Sequence, residues 1–83
     1  MNRDEALALI KDVLTDVVPG ADTAALSRDE NFRESLEMDS LDFLNFIEAL
    51  SERTGLALPE TDYPALTTLD GCADYVASRT FPE

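Results

Sequence analysis

The spacing of apolar residues limits this chain to helices. Three stretches carry apolar residues at positions i, i+3, i+4 and i+7, which is the pattern of one helix face. Glycine and proline separate these stretches, and no strand pattern competes with them. Because 83 residues provide for one domain and one core, we predict a single domain over residues 1–83. Its fold class is all-α: a small four-helix bundle with three main helices, one short helix and a long first loop.

Capping residues mark the ends of the predicted helices. Asn2 followed by Glu5 is a capping-box pattern. Asp39 is a good N-cap for the second helix, and Gly55 is a typical C-cap. Gly71 is expected to weaken the last helix by up to about 1 kcal/mol relative to Ala. The predicted helices are residues 3–18, 40–54 and 69–79, with one short turn over residues 61–66 that Pro64 limits in length.

The apolar stripes of these helices predict the core. In the second helix the core stripe leaves out two leucines near its start, Leu41 and Leu44, and we expect them to form a contact surface. The expected core residues are Ala6, Leu7, Ile10, Val13, Leu14, Val17, Phe43, Phe46, Ile47, Leu50, Leu69, Cys72, Ala73 and Val76, with Tyr75 at the margin.

A long polar connection joins the first and second helices, from about residue 20 to residue 38. A loop of this length is unusual in so small a domain and indicates either a wrapped loop or a functional one. Four apolar residues are expected to fix it to the core: Ala25, Leu26, Phe32 and Leu36.

The charge balance narrows the classes of partner. Eighteen acids against six bases give a formal net charge of −12. Such a surface repels phosphate backbones and anionic membranes, so we expect no nucleic-acid partner, while it attracts basic protein surfaces. The chain starts without a basic segment followed by an apolar one, and no stretch approaches 18 apolar residues. We therefore expect no integral membrane segment, and the cytoplasm is the simplest placement.

The residue inventory argues against an enzyme. The absence of histidine excludes internal Ser-His-Asp and Cys-His nucleophile pairs. Cys72, the single cysteine, lies on an apolar stripe and is interpreted as a small core hydrophobe. Paired carboxylates are plentiful on an acidic surface and are interpreted as solvated charge, and no dense metal-ligand loop is present. We therefore predict no catalytic residues and no metal site.

Ser40 is the most informative polar residue, because it starts the second helix directly after the long connection. Free N–H groups and a positive partial charge at a helix N-terminus favour an attached phosphate. By position alone, the simpler interpretation is that Ser40 joins Asp39 in capping. The wider pattern decides between the two.

The segment Leu36-Glu37-Met38-Asp39-Ser40-Leu41-Asp42 resembles the acyl carrier protein family, whose members are small helical proteins carrying 4′-phosphopantetheine on a serine. The Asp-Ser-Leu core is similar to the family's attachment motif, and Ser40 matches the modified serine. Further matches extend the resemblance over about residues 4–78: Phe32 and Leu36, Glu48 to Glu52, Leu58-Pro59, Leu66 to Leu69 and Tyr75-Val76.

The resemblance implies an acyl-carrier-like fold and a carrier protein rather than an enzyme. It implies 4′-phosphopantetheine covalently attached to Ser40, flanked by Asp39 and Leu41, with acyl intermediates of fatty-acid, polyketide or related lipid synthesis held as thioesters. The expected partners are a phosphopantetheinyl transferase, the acyl chain, and acyl-ligase, ketosynthase or acyltransferase enzymes with basic surfaces. The residues expected to dock these enzymes are Asp42, Leu44, Glu48 and Glu52. We also expect a monomer.

Three residues depart from the family pattern. Glu37 stands where the family usually has glycine, Asn45 where it often has Glu, and Phe43 where it has a smaller residue on the core face. These differences indicate a specialised carrier. Two alternatives stay open: an aminoacyl or peptidyl carrier loaded by an adenylating enzyme, and an unmodified acidic helical adaptor that binds a basic partner.

Overall fold

Three long helices and one short helix form the framework of the chain in a computed structural model, which describes residues 1–80. Within these residues there is no strand, so the all-α prediction is confirmed. The α-helices are α1 (Arg3–Val17), α2 (Phe32–Ser35), α3 (Ser40–Thr54) and α4 (Leu69–Arg79), and 3₁₀ helices cover Thr23–Ala25 and Glu60–Leu66. The long helix α1 packs against both α3 and α4.

The predicted capping box starts α1. The Asn2 side chain accepts a hydrogen bond from the Glu5 N–H at 2.8 Å, and the Glu5 carboxylate accepts one from the Asn2 N–H at 3.3 Å. The helix ends at Val17, one residue earlier than predicted, because Val18 leaves the helical conformation and serves as the C-cap.

The core forms where the apolar stripes of the long helices meet. Every predicted core residue is buried or packs against the buried cluster as a partly buried side chain. Phe32 and Phe46 meet edge to face with ring centroids 5.4 Å apart, which joins the long connection to α3. The fully buried large side chains are Phe32, Phe46, Ile10, Leu14, Leu50, Leu66, Leu69, Val13, Val76 and Cys72.

The long connection is a wrapped segment with two helical turns that the sequence pattern did not predict. Four residues, the length of α2, are too few to show helical periodicity, and the Asn31 side chain caps this turn. Phe32 is buried as expected, and its N–H donates to the Thr67 carbonyl at 2.9 Å. Leu26 and Leu36 are half-buried, but Ala25 is exposed, so its assignment as an anchor was wrong.

The short turn before α4 is confirmed as a 3₁₀ helix that begins one residue earlier than predicted, at Glu60, and contains Pro64. It packs against α4, and Gly71 is one of the contact points. A Cβ atom added at Gly71 would lie 2.2 Å from the Ala65 carbonyl oxygen. The helix-propensity cost expected of Gly71 is therefore opposed by this close approach of the backbone, which an alanine would have to displace.

Ion pairs connect the helices on the surface. Arg3 of α1 binds Asp70 and Asp74 of α4 at 2.9 and 2.6 Å. Arg53 of α3 binds Asp12 of α1 at 2.9 Å. All of these side chains are substantially exposed, so each pair contributes little stability. Over residues 1–80, no helix is long and apolar enough to cross a membrane.

Candidate functional site

A second capping box fixes the start of α3. Asp39 Oδ1 accepts a hydrogen bond from the Asp42 N–H at 2.8 Å, and Asp42 Oδ2 lies 3.4 Å from the Asp39 N–H. Met38 is buried just before the cap and holds the backbone against the core. Ser40 is thereby fixed as the first residue of α3, and it is exposed. Because Asp39 supplies the N-cap, the Ser40 hydroxyl is not needed for capping and lies at the surface.

The turn that leads into α3 places a non-glycine residue in the left-handed region. Glu37 has φ of +53° and is the only such residue among those that the structure describes. The Met38 N–H donates to the Arg33 carbonyl at 2.8 Å, which closes this turn. Glu37 occupies the position where the family pattern has glycine, and holding a non-glycine residue in this conformation costs roughly 1 kcal/mol.

Arg33 joins the site, although the sequence did not assign it there. Its Nη2 donates to Ser40 Oγ at 3.4 Å, a long hydrogen bond. Its guanidinium also lies over the Phe43 ring, 4.9 Å from the centroid. Arg33 directly precedes Glu34 in the sequence. The helical turn α2 and the tight turn after it place its side chain next to Ser40. The one sequence signal was a lone base seven residues before the candidate serine.

The ring that supports Arg33 belongs to an aromatic cluster. Phe43 is buried, with ring centroids 6.1 Å from Phe46 and 5.7 Å from Tyr63. The contact with Tyr63 is edge to face, a favoured geometry for aromatic pairs. The large side chain at position 43, a departure from the family pattern, therefore fills space between α3 and the second 3₁₀ helix and carries the guanidinium of Arg33.

The other predicted site residues share the exposed surface of α3. Leu41 and Leu44 are 67% and 43% exposed, the two large apolar side chains that residues 1–80 leave most open to solvent. Glu48 and Glu52 are exposed further along the helix, while Asp42 is half-buried within the capping box. We call Leu41, Asp42, Leu44, Glu48 and Glu52 together the α3 outer face.

The single cysteine lies in the core, away from Ser40. Cys72 is fully buried, its Sγ lies 3.3 Å from the Leu66 carbonyl oxygen, and burial raises its pKa. Cys72 is thus a core residue, as predicted. A raised pKa keeps it in the thiol form, whereas the reactive form of cysteine is the thiolate. Among residues 1–80, no three acidic or thiol side chains are grouped so as to hold a metal ion.

The fold and this site define a class of small helical carrier, and comparison with known proteins identifies the family. The family model described as "Phosphopantetheine attachment site" matches residues 7–76. An acyl carrier protein of Rubrobacter xylanophilus is 36% identical over 79 residues, which are 95% of this chain and 96% of that protein. Acyl carrier proteins of Thermosynechococcus vestitus and Acidothermus cellulolyticus are 29% and 25% identical, each over at least 94% of both chains.

The chain therefore belongs to the acyl carrier protein family, whose members are carriers rather than enzymes. The family match includes the whole of α3 and the turn before it. The family predicted from the Asp-Ser-Leu motif is thus confirmed, as is the phosphopantetheine-attachment class of the domain.

Proposed function

We propose that residues 1–83 form one carrier domain that holds acyl intermediates on 4′-phosphopantetheine attached to Ser40 Oγ. The observation that carries this proposal is the exposed Ser40 hydroxyl, fixed at the first position of α3 by a cap that Asp39 supplies. A residue that is both rigidly held and uncovered suits a modifying enzyme that must reach one oxygen.

The surroundings of Ser40 fit the prosthetic group. The free N–H groups at the start of α3 and the guanidinium of Arg33 favour the phosphate of the arm. When bound, the group supplies a thiol that holds cargo as a thioester. The chain itself supplies a fixed attachment point and an approachable surface, which explains why carrier function needs no histidine.

The α3 outer face fits docking of partner enzymes with basic surfaces. From Glu34 to Glu52 the chain has six acids and no base. These charges would speed encounter and select partners, while Leu41 and Leu44 provide a small apolar centre typical of transient contacts. The proposed partners are the phosphopantetheinyl transferase and acyl-transfer enzymes of fatty-acid, polyketide or related lipid synthesis. The proposed carrier acts as a monomer.

The attachment is tested by modification of matched serine variants. Wild type, Ser40→Ala and Ser35→Ala are each incubated with coenzyme A and a promiscuous phosphopantetheinyl transferase. Ser35 is exposed and lies in the same segment, so Ser35→Ala is the control. Intact-mass spectrometry should show one added prosthetic group on wild type and Ser35→Ala, and none on Ser40→Ala. Modification of Ser40→Ala would contradict the assignment, and a folded wild type that is never modified would favour an acidic adaptor.

The docking surface is tested by charge reversal. The double variant Glu48→Lys/Glu52→Lys should be modified and loaded roughly tenfold more slowly at low salt, with a smaller difference at high salt. The control, Asp22→Lys/Asp29→Lys, makes the same charge change at two exposed acids of the connection before α2. Equal slowing of both variants would show that only net charge matters and would remove the proposed docking role of α3.

The cargo class is tested on the chain from its native host. Intact-mass analysis of the loaded form should show an acyl group, as the name of the relatives suggests. An aminoacyl or peptidyl mass would instead place the chain with the carriers that adenylating enzymes load.

A further inference from the structure

Among residues 1–80, Arg33 has no carboxylate partner, although its neighbourhood is strongly acidic. Glu34, Glu37, Asp39 and Asp42 lie within nine residues of it. Even so, the four ion-pair contacts found within residues 1–80 are all made by Arg3 and Arg53 of other elements. The guanidinium points instead to Ser40 Oγ and the Phe43 ring. Its charge is therefore held at the attachment oxygen and is not neutralised by a neighbouring acid.

We propose that Arg33 is a positioning residue that binds the phosphate of the prosthetic arm, an inference that rests on the proposed attachment at Ser40. In the unmodified chain, Nη2 is 3.4 Å from Ser40 Oγ, a long contact for a neutral hydroxyl. Once Oγ is esterified, the phosphate's anionic oxygens extend beyond that atom. The guanidinium then reaches them without backbone movement, and the contact becomes a charge-assisted hydrogen bond.

The Phe43 ring explains why arginine suits this position. A planar guanidinium stacks on an aromatic face and still presents N–H groups at its edge, which a lysine ammonium cannot do. The edge contact between Phe43 and Tyr63 in turn holds the ring. The aromatic residue at position 43 and the base at position 33 thus act as one unit, with the ring fixing the direction of the charge.

The proposed contact between Arg33 and the phosphate would reduce charge repulsion around Ser40. Attachment adds a negative phosphodiester to a segment that already carries four acids around Ser40. Arg33 offsets that repulsion and draws the phosphate to the Phe43 side of α3. Leu41 and Leu44 then stay uncovered for partners, since they lie on the outer face of the helix.

The test compares apo and holo forms of wild type, Arg33→Gln, Arg33→Lys and the control Arg28→Gln. Arg28 is an exposed arginine of the same connection, and its backbone carbonyl accepts a hydrogen bond from the Asp70 N–H. Two quantities are measured on each holo protein: the ³¹P resonance of the phosphodiester, and the unfolding midpoint relative to that of the same apo protein. Neither readout depends on acyl transfer.

We expect Arg33→Gln to move the ³¹P resonance and to lower the holo midpoint, relative to apo, by about 3–6 °C more than in wild type. Arg33→Lys should give an intermediate change, because it keeps the charge but loses the stacked geometry. Arg28→Gln should match wild type. If Arg33→Gln does not fold, the Arg33→Lys comparison with Arg28→Gln decides.

The outcomes separate this proposal from the proposed function. If wild type acquires the arm at Ser40 but both readouts are the same in wild type and the Arg33 variants, the role of Arg33 is overturned and the carrier function stands. If wild type never acquires the arm, no ³¹P resonance of a protein-bound phosphodiester is seen, and both proposals fail together.

Discussion

Helices α3 and α4 begin in the same way and meet opposite surroundings. Each follows an irregular segment, and each has a side chain that accepts a hydrogen bond from the third helical N–H: Asp39 at 2.8 Å and Thr68 at 2.9 Å. The first residue of α3, Ser40, is exposed, whereas the first residue of α4, Leu69, is fully buried.

The difference lies in what covers each end. The second 3₁₀ helix lies so close to the start of α4 that Gly71 leaves no space for a Cβ atom. At α3, by contrast, Arg33 donates a hydrogen bond to the first residue, which stays exposed. The proposed attachment site is thus at the helix N-terminus that is left uncovered, whereas the equally capped N-terminus of α4 is covered.

Alanine at Gly71 and alanine at Ser40 should give the largest contrast between the two ends. Gly71→Ala places a Cβ against the Ala65 carbonyl oxygen and should lower the free energy of unfolding by about 1–3 kcal/mol. Ser40→Ala removes an exposed hydroxyl and should change stability by less than about 0.5 kcal/mol. Urea unfolding of both variants measures the two values. A stabilised Gly71→Ala would show that helix propensity outweighs the close contact.

Residue 71 also shows which parts of the fold sequence can predict. The bounds of α3 were predicted correctly because Asp39, Gly55 and one apolar stripe are local signals. The Gly71 contact depends on how a 3₁₀ helix lies against α4, and no local pattern encodes that packing.

The candidate site also contains one residue that a local sequence pattern predicts and one that it does not. Ser40 could be found because its motif is contiguous, and its exposure agrees with its position at a helix start. Arg33 could not be found, because its approach to Ser40 depends on the turn formed by α2 and on the left-handed conformation of Glu37. A contact between residues seven positions apart, across an irregular turn, leaves no periodic trace in the sequence.

The two N-caps should prove equal in energy despite their different surroundings. Asp39→Ala and Thr68→Ala each remove one acceptor and should each cost about 1 kcal/mol. Asp39→Asn and Thr68→Ser keep an acceptor at the same place and should retain most of that stability. Urea unfolding of the four variants checks this. A much smaller cost for Asp39→Ala would mean that relief of acid–acid repulsion offsets the lost cap.

Strain distinguishes the turn before α3 from the segment before α4. Glu37 is held at φ +53°, whereas residues 56–68, which lead into α4, include no positive φ. Glu37→Gly should stabilise the chain by about 0.5 kcal/mol, because relief of the left-handed strain exceeds the added entropy of glycine in the unfolded chain. Glu37→Ala removes the same charge but keeps the strain, so it serves as the control in thermal unfolding. Equal stabilisation by Ala would assign the effect to charge.

The smallest expected effect on stability concerns the polar contacts that hold the segment before α3 and the start of α4. Salt bridges from Arg3 reach α4, whereas upstream of α3 the Ser35 hydroxyl and the Ser27 N–H donate to the Glu30 carboxylate and lower its pKa. Because the pKa of Glu30 is lower in the folded chain than in the unfolded chain, its hydrogen bonds stabilise the fold fully at pH values above the unfolded-state pKa. This stabilisation is lost as the pH falls through the folded-state pKa. The stability difference between wild type and Glu30→Gln should therefore shrink on acidification from about pH 6 towards pH 3. Ser35→Ala should reduce that pH dependence, and urea unfolding across this range measures it. A difference that stays constant with pH would show that Glu30 does not brace the turn through its charge.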